Sequence, residues 1–445
     1  MSLLSTTLRP MARFGLPAIL GFAGLAGCGA RPAPQQETPK QVVEMDSMVI
    51  EYQGEQDGKS VTVAFDDAAL FTEAKGYFDG QKFEEAQASY GKLLKYFPKS
   101  SYVHAALYNR GLCFEHLKQY GEAANHFRRY IQLSKSLEDQ RDGEFRWGYN
   151  LIKTEDWPTA LDLYNRLLKD PQGLGEADLA EAYLRRATAL TAMDQFGESE
   201  RDLKKSMRLI EKAYSGVTEG NPLYAEAHFR RGQIYETLFR KVQLKLPAEQ
   251  MKVDLQDKVR FFRQSQSSYL DALNVREPFW ATAAGFKLGE LYEVFYMHIL
   301  QSEVPDEFDD ETRRFYFVEL KRKLRPLMEQ ALTIYEKNIS MSQRVGTENE
   351  WVSETDARMA RLRDLLEASL KEEKAMEEEE RAYEEAQKAR KSKKGKGKPQ
   401  ASRVDLNAAP VASRGLTPRD MLSPRRAVAH QPAGRPGSIS SRAGE

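Results

Sequence analysis

Hydrophobic residues recur at helical spacing through most of the chain, from about residue 66 to residue 370. Apolar side chains three or four positions apart share one face of an α-helix, so this pattern predicts a long series of amphipathic helices. Residues 48–53 and 60–65 instead alternate between polar and apolar side chains, which predicts two short strands. Asp57-Gly58 between them favours a tight turn, so we expect a small hairpin ahead of the helices.

The helical region repeats a small residue in one helix and a large residue in the next. The small residues are Ala74, Gly111, Gly148, Ala187, Gly232 and Gly289. The large residues that follow them are Tyr90, Phe127, Tyr164, Leu203, Tyr269 and Tyr335. A small residue lets two helices approach closely, so the pattern predicts about six helical hairpins. In the last two, the second helix is delayed by insertions, around Leu244–Asp257 and at the acidic loop Val304–Glu311.

The segment from Gly111 to Phe127, GLCFEHLKQYGEAANHF, resembles the tetratricopeptide repeat (TPR), in which two helices form one repeat. The resemblance implies an all-α fold, a solenoid of TPR helical hairpins over residues 66–370. A helix near residues 350–370 would cap this array. Charged residues continue the helical pattern over 371–389, where we expect a solvated helix.

The first 27 residues are typical of a bacterial secretion signal. Arg9 and Arg13 precede an apolar stretch, Phe14–Phe22, that is too short to span a bilayer. Leu25, Ala26 and Gly27 then precede Cys28, and this resembles the lipobox of bacterial lipoproteins.

The lipobox resemblance implies that Cys28 becomes the mature N-terminus and carries covalent lipid as a membrane anchor. Gly29 stands where an Asp would retain a lipoprotein in the inner membrane, which favours the outer membrane with the protein facing the periplasm. The alternative is an ordinary cleaved signal with an accidental cysteine. If Cys28 does carry lipid, residues 28–65 form a lipidated spacer that includes the hairpin.

The overall charge is balanced, with 66 Lys+Arg and 66 Asp+Glu, but its distribution is uneven. Residues 388–445 carry a net charge of +11 and residues 1–27 carry +2, which leaves −13 on residues 28–387. The tail is rich in Lys, Gly, Pro and Arg and lacks periodicity, so we expect disorder over 390–445. In the periplasm the tail would contact anionic lipid or cell-wall polymers, or it would serve as a plain linker. We expect it to bind no nucleic acid.

Catalytic motifs are absent from the sequence. It contains no G-x-x-x-x-G-K-[ST] loop, no G-x-S-x-G, no H-E-x-x-H and no C-x-x-C, and its six histidines are dispersed. We therefore predict no enzymatic activity, no metal and no cofactor apart from the lipid on Cys28. The second cysteine, Cys113, lies on an apolar helix face, where a packing role is expected.

In a helical solenoid, the first helix of each repeat lines a concave groove. Counting from the repeat positions predicts that the groove exposes Tyr108, Glu115, Arg146, Tyr149, Lys153, Arg185, Arg230 and Gln233. Aromatic and Arg side chains suit the binding of an extended or helical segment of a partner protein. The alternative is that several of these side chains are merely solvated.

Two further resemblances concern function. Phe83–Leu168, with the link YFPKSSY at Tyr96–Tyr102, resembles outer-membrane TPR lipoproteins such as the BamD-type component of the β-barrel assembly machine and the Tol–Pal coordinator. Pro278–Glu293 and Pro326–Tyr335 are similar to deltaproteobacterial TPR proteins, including lipoproteins of the myxobacterial gliding-motility (Agl–Glt) machinery.

The resemblances imply a scaffold lipoprotein that binds other envelope proteins of a multiprotein, envelope-spanning complex, with gliding motility as the first expectation. The late insertions and the basic tail are not features of a BamD-type protein, so β-barrel assembly is the second expectation. The third expectation is a cell-wall-associated coordinator that acts through the tail.

Overall fold

The computed structural model describes residues 48–56 and 59–393. Strands β1 (Val49–Gln56) and β2 (Lys59–Phe65) form an antiparallel hairpin, with Val49 opposite Phe65 and Gln56 opposite Lys59. The predicted hairpin is therefore present, although its turn dipeptide lies outside the described residues. The signal sequence, the lipobox with Cys28 and the tail from residue 394 onward also lie outside them.

Thirteen helices follow in the described part of the chain, and they account for six hairpins and one final helix. Their bounds are α1 (Asp67–Asp79), α2 (Phe83–Tyr96), α3 (Val103–His116), α4 (Tyr120–Leu133), α5 (Leu137–Lys153), α6 (Trp157–Lys169), α7 (Glu176–Ala192), α8 (Phe196–Ala213), α9 (Pro222–Lys241), α10 (Ala248–Asn274), α11 (Pro278–Leu300), α12 (Asp310–Val345) and α13 (Glu350–Lys393). Within residues 48–56 and 59–393, no helix is long and apolar enough to cross a membrane.

The chain divides into two compact units, and the boundary lies inside α5. We call residues up to Trp147 the N-terminal unit and residues from Gly148 the C-terminal unit. In the N-terminal unit the hairpin packs on the first helices, since the Phe65 ring lies 5.8 Å from that of Tyr96 and 6.3 Å from that of Phe97. The same core contains Tyr90 and Cys113, both fully buried.

The repeat positions predicted from the sequence carry the helix packing in both units. A Cβ atom on Gly111 would lie 2.8 Å from Cζ of Phe127, and one on Gly232 would lie 2.6 Å from Cδ1 of Tyr269. Helices α3 and α9 therefore approach their partners more closely than any side chain would permit. The six large residues predicted to face the small positions all have no exposed surface: Tyr90, Phe127, Tyr164, Leu203, Tyr269 and Tyr335.

The first of the two insertions is largely helical, whereas the second is a loop that precedes a helix. Most of Leu244–Asp257 belongs to α10, a helix of 27 residues, because Met251 and Leu255 are spaced to join its buried face. The second insertion leads into α12, which has 36 residues. Asp309 in the acidic loop caps this helix, since its side chain accepts a hydrogen bond from the backbone N–H of Thr312 at 2.8 Å.

The capping helix and the charged helix predicted beyond it form one helix, α13, with 44 residues. Its acidic side chains pair with basic side chains on α12. Glu379 lies 3.2 Å from Arg314, Glu372 lies 2.5 Å from Lys321, and Glu373 contacts Arg325. Most side chains of residues 371–389 are exposed, so the segment is a charged and largely solvated helix that forms these ion pairs with α12.

Candidate partner-binding site

In the N-terminal unit, the structure brings together the three residues predicted to line the groove there. Nη1 of Arg146 donates a hydrogen bond to Glu115 Oε2 at 3.1 Å. The ring of Tyr108 lies 5.6 Å from that of Phe127 and 5.0 Å from that of Tyr130. Burial, reinforced by the nearby Asp142 carboxylate, raises the pKa of the Tyr108 hydroxyl to about 12. Tyr108 is therefore protonated at neutral pH, and its hydroxyl is hydrogen-bonded to Asp142.

Tyr149 and Lys153 lie on the part of α5 that belongs to the C-terminal unit. The Nζ atom of Lys153 is 5.5 Å from the centre of the Tyr149 ring, a cation–π distance. Tyr149 is half-buried and Lys153 is exposed. The two predicted residues thus form one small aromatic and cationic patch.

Arg185 on α7 and Arg230 on α9 converge on a carboxylate that sequence reasoning missed. Nη1 of Arg185 lies 2.9 Å from both carboxylate oxygens of Glu226, and Nη2 of Arg230 lies 3.0 Å from one of them. Arg230 also donates to Gln233 Oε1 at 3.0 Å. Only 5% of Glu226 is exposed, so these two arginines hold a buried carboxylate.

The local sequence explains why these side chains meet. Asn221 caps α9 by accepting a hydrogen bond from the N–H of Tyr224 at 3.0 Å, and Pro222 occupies the first turn. With the helix start fixed in this way, Glu226, Arg230 and Gln233 follow at intervals of four and three residues and share one face. This spacing was the available signal for Glu226, since it places an acid one turn before a predicted groove arginine.

A second group of ion pairs in the same unit joins α9 to two further helices, α11 and α13. Together with Arg185, Glu226 and Arg230, the following residues form what we call the ion-pair network: Glu236 and Arg240 on α9, Lys287, Glu290 and Glu293 on α11, and Arg358 on α13. Arg240 lies 2.6 Å from Glu236 and 3.4 Å from Glu290, and Arg358 lies 2.9 Å from Glu293. Sequence reasoning identified only the first part of this network.

The ion pairs lower the pKa of two carboxylates of the network, Glu226 and Glu290. Burial alone would raise the pKa of Glu226, but the guanidinium groups of Arg185 and Arg230 outweigh it and hold that pKa below its usual range. Burial likewise raises the pKa of Glu290, and Lys287, Arg240 and Arg358 together bring it below the usual range. Both groups are therefore ionised at neutral pH.

Arg230 also lies against an aromatic ring. Its guanidinium carbon is 5.7 Å from the centre of the half-buried indole of Trp280 on α11. We call Arg185, Glu226, Arg230, Gln233 and Trp280 the partner-binding face of the C-terminal unit. It offers fixed guanidinium groups, an amide and an aromatic surface, which are the side chains enriched where proteins bind one another. Among the described residues, no group of three His, Cys, Asp or Glu side chains could hold a metal ion.

Residues 71–137 match the family model of the tetratricopeptide repeat. The fold is that of TPR repeats. The match covers the second helical hairpin and most of the first. With the six hairpins of the structure, it confirms the all-α TPR fold predicted from the sequence. No curated protein matches the chain.

Several solved structures are similar to parts of the chain. A tetratricopeptide repeat protein from Parabacteroides merdae is 15% identical, covers 65% of this chain and 96% of its own, and has a TM-score of 0.33. YrrB, described as a TPR protein with an unusual peptide-binding site, is 18% identical, with coverages of 48% and 92% and a TM-score of 0.32. The apo form of RapI is 11% identical, with coverages of 68% and 98% and a TM-score of 0.38. Similarity at this level carries no argument about function.

Proposed function

We propose that this protein is a non-enzymatic TPR scaffold, anchored to the outer membrane by lipid on Cys28, that binds partner proteins of an envelope-spanning complex. The observation that carries the proposal is the partner-binding face, in which Arg230 lies between Glu226, Gln233 and Trp280. Such a combination supports binding of an extended or helical protein segment.

The ion pairs prepare this face for binding. A flexible arginine loses side-chain entropy when a partner immobilises it, and this loss weakens binding. Arg185 and Arg230 are already fixed by Glu226, so the entropic cost falls on folding and not on association. The face would therefore select a partner by shape and hydrogen bonding, with little further rearrangement.

The binding role can be tested by affinity purification from solubilised membranes, followed by quantitative mass spectrometry. We expect Arg230→Ala combined with Gln233→Ala to lower the yield of specific partners by at least about tenfold. Arg128→Ala combined with Arg129→Ala, at exposed positions on α4, serves as the control and should retain them. Equal partner yields from the two variants would contradict the proposal.

The lipid anchor has its own experiment. Cys28→Ala should move the protein from the membrane fraction to the soluble periplasmic fraction and abolish labelling by an alkyne analogue of palmitate. Membrane association that persists in this variant would show that Cys28 is not the anchor. This result is separate from the binding experiment, because it concerns a residue far from the partner-binding face in sequence.

Gliding motility is the envelope machine that we propose first, on the resemblance of Pro278–Glu293 and Pro326–Tyr335 to proteins of that machinery. Deletion of the gene should then abolish gliding while porin levels in the outer membrane stay normal. Depleted porins would support the second function, β-barrel assembly, which the resemblance of Phe83–Leu168 to BamD-type proteins favours.

The basic tail provides a third candidate, attachment to the cell wall, because residues 388–445 carry a net charge of +11. Removal of residues 388–445 should abolish co-sedimentation with purified peptidoglycan sacculi if the tail is the attachment. Undiminished co-sedimentation would assign the attachment elsewhere or to the lipid anchor.

A further inference from the structure

Helix α8 carries a row of basic side chains outside the partner-binding face. Arg201, Lys204, Lys205 and Arg208 follow one another at intervals of three, one and three residues, so they share one face of the helix, and all four are exposed. They border a cleft of about 460 Å³ between α7 and α8. The other residues that line the cleft are Tyr183, Arg186, Glu198 and Asp202.

A fixed guanidinium group lies within this cleft. Arg186 on α7 donates two hydrogen bonds to the carboxylate of Asp202, at 2.7 and 2.8 Å, and a third to Asn165 at 3.0 Å. Its guanidinium carbon also lies 5.4 Å from the centre of the Tyr183 ring. Asp202 is thereby neutralised by Arg186, so it does not compete for the exposed cations on α8.

The cleft has an excess of positive charge that the chain does not itself neutralise. Five basic and two acidic side chains line it, within a stretch of chain, residues 28–387, whose net charge is −13. Lys204 pairs with Glu200 at 2.8 Å, and Arg201 lies 3.7 Å from Glu198. Among the described residues, neither Lys205 nor Arg208 forms an ion pair. A local positive cleft on an acidic body points to an anionic ligand.

We infer that this cleft binds an acidic, extended segment of a partner protein. The row from Arg201 to Arg208 spans about 10 Å at 1.5 Å per helical residue. An extended chain places alternate side chains on one side about 7 Å apart, so two acidic residues separated by one other residue match the row. A flat bilayer surface would contact the rim of the cleft but not its interior, which favours a peptide over lipid headgroups.

The inference does not depend on the lipid anchor or on the partner-binding face. Arg185 and Arg186 are adjacent on α7, yet Arg185 bonds to Glu226 on α9 whereas Arg186 bonds to Asp202 on α8. Successive helical residues point about 100° apart, so the two arginines serve different surfaces. A partner could therefore contact the cleft while a second segment occupies the other face.

The test uses fluorescence anisotropy with the full mature chain and a labelled octapeptide of alternating Glu and Ser. We expect saturable binding that weakens as salt rises. Lys205→Glu combined with Arg208→Glu should reduce the affinity by at least about tenfold. Arg128→Glu combined with Arg129→Glu makes the same change in charge on α4 and should bind as the wild type does. Circular dichroism checks that both variants are folded.

Each other outcome overturns the inference. Equal affinity in the cleft variant and the α4 variant would mean that the peptide responds only to overall charge. Absence of saturable peptide binding would contradict it directly. In a third arm, the Cys28→Ala chain is mixed with vesicles that contain phosphatidylglycerol. Vesicle binding that depends on Lys205 and Arg208, without peptide binding, would assign the cleft to lipid headgroups.

Discussion

Gly232 on α9 packs directly against the ring of Tyr269 on α10, and a Cβ atom at this glycine would lie 2.6 Å from two of the ring carbons. The hydroxyl of the same tyrosine donates a hydrogen bond to Glu236 Oε2 at 2.6 Å. One residue pair thus joins the helix packing of the repeat to the ion-pair network. Close packing at the hairpin and the position of the charged groups are therefore linked.

Replacement of this glycine should destabilise the C-terminal unit. In Gly232→Ala the new methyl group collides with a fully buried ring, so we expect a loss of about 1–3 kcal/mol in the free energy of unfolding, despite the higher helix propensity of alanine. Gly76→Ala is the matched control, because nothing lies within 4 Å of a Cβ atom there. Gly76→Ala should stabilise the protein by up to about 1 kcal/mol. Urea unfolding measures the free energy of unfolding of both variants, and two changes of the same sign would contradict the packing described.

Loss of the Glu226 charge should destabilise the protein in a manner that depends on pH. Glu226→Gln leaves Arg230 without its buried counter-charge and Arg185 with Glu181 alone, so we expect a loss of about 3 kcal/mol near pH 7. Because the folded pKa of Glu226 is below its usual value, its stabilisation is present above about pH 4.3 and is lost as pH falls further. The stability difference between wild type and variant should therefore shrink in acid. A difference that is constant from pH 7 to pH 3 would exclude this electrostatic role.

Burial of Lys258 predicts that stability also rises with pH in the alkaline range. This lysine is fully buried, and its Nζ donates hydrogen bonds to the carbonyl oxygens of Phe239 and Val242, at 2.8 and 2.7 Å. Burial, with a smaller effect of Arg240, lowers its pKa to about 8. The unfolded chain then binds more protons between about pH 8 and pH 10, so this residue makes stability rise with pH over that range.

The variant Lys258→Met isolates that contribution. Wild-type stability should increase relative to the variant by up to about 1.4 kcal/mol per pH unit between pH 8 and pH 10. Both proteins contain the same tyrosines, so the contribution of tyrosine titration cancels when their free energies of urea unfolding are subtracted. Parallel curves would show that the ammonium group keeps an ordinary pKa in the folded protein.

Cys113 should be unreactive in the folded protein. It is fully buried in the N-terminal unit, and burial raises the pKa of its thiol to about 12. In a Cys28→Ala chain Cys113 is the one remaining cysteine, since the sequence has two. Iodoacetamide at pH 8 should label it only after urea is added, as intact-mass spectrometry will show. Rapid stoichiometric labelling without urea would place the thiol at the surface.

The sequence predicted the helix packing well because each repeat requires a small and a large residue at fixed positions. Gly148 and Tyr164 could be matched from spacing alone, and Tyr164 is fully buried against that glycine. The last pair, Gly289 and Tyr335, was also identified across a long insertion. Spacing was less informative about helix length, because the Leu244–Asp257 insertion extends α10 without changing which residues pack.

The ion-pair network could be predicted only in part. Arg185, Arg230 and Gln233 follow from the repeat positions, but their counter-charge depends on which carboxylate a neighbouring helix supplies. Glu226 meets Arg185 across 41 residues of sequence, and Arg358 reaches Glu290 across 68. Such contacts depend on the rotation of one helix against another, which hydrophobic spacing fixes only approximately. Glu226 could nevertheless have been predicted, because it is the acidic residue one helical turn before Arg230.

Photocrosslinking in living cells tests the partner-binding face most directly. p-Benzoylphenylalanine would replace Trp280 on the face, where it keeps an aromatic ring, Tyr149 on α5, and, as the control, Tyr214, which is 45% exposed at the end of α8. We expect discrete heavier products from Trp280 and Tyr149, lost from Tyr149 when Arg230→Ala is added, and no such product from Tyr214. Products of equal yield at all three positions, or none at Trp280 and Tyr149, would contradict a partner on this face.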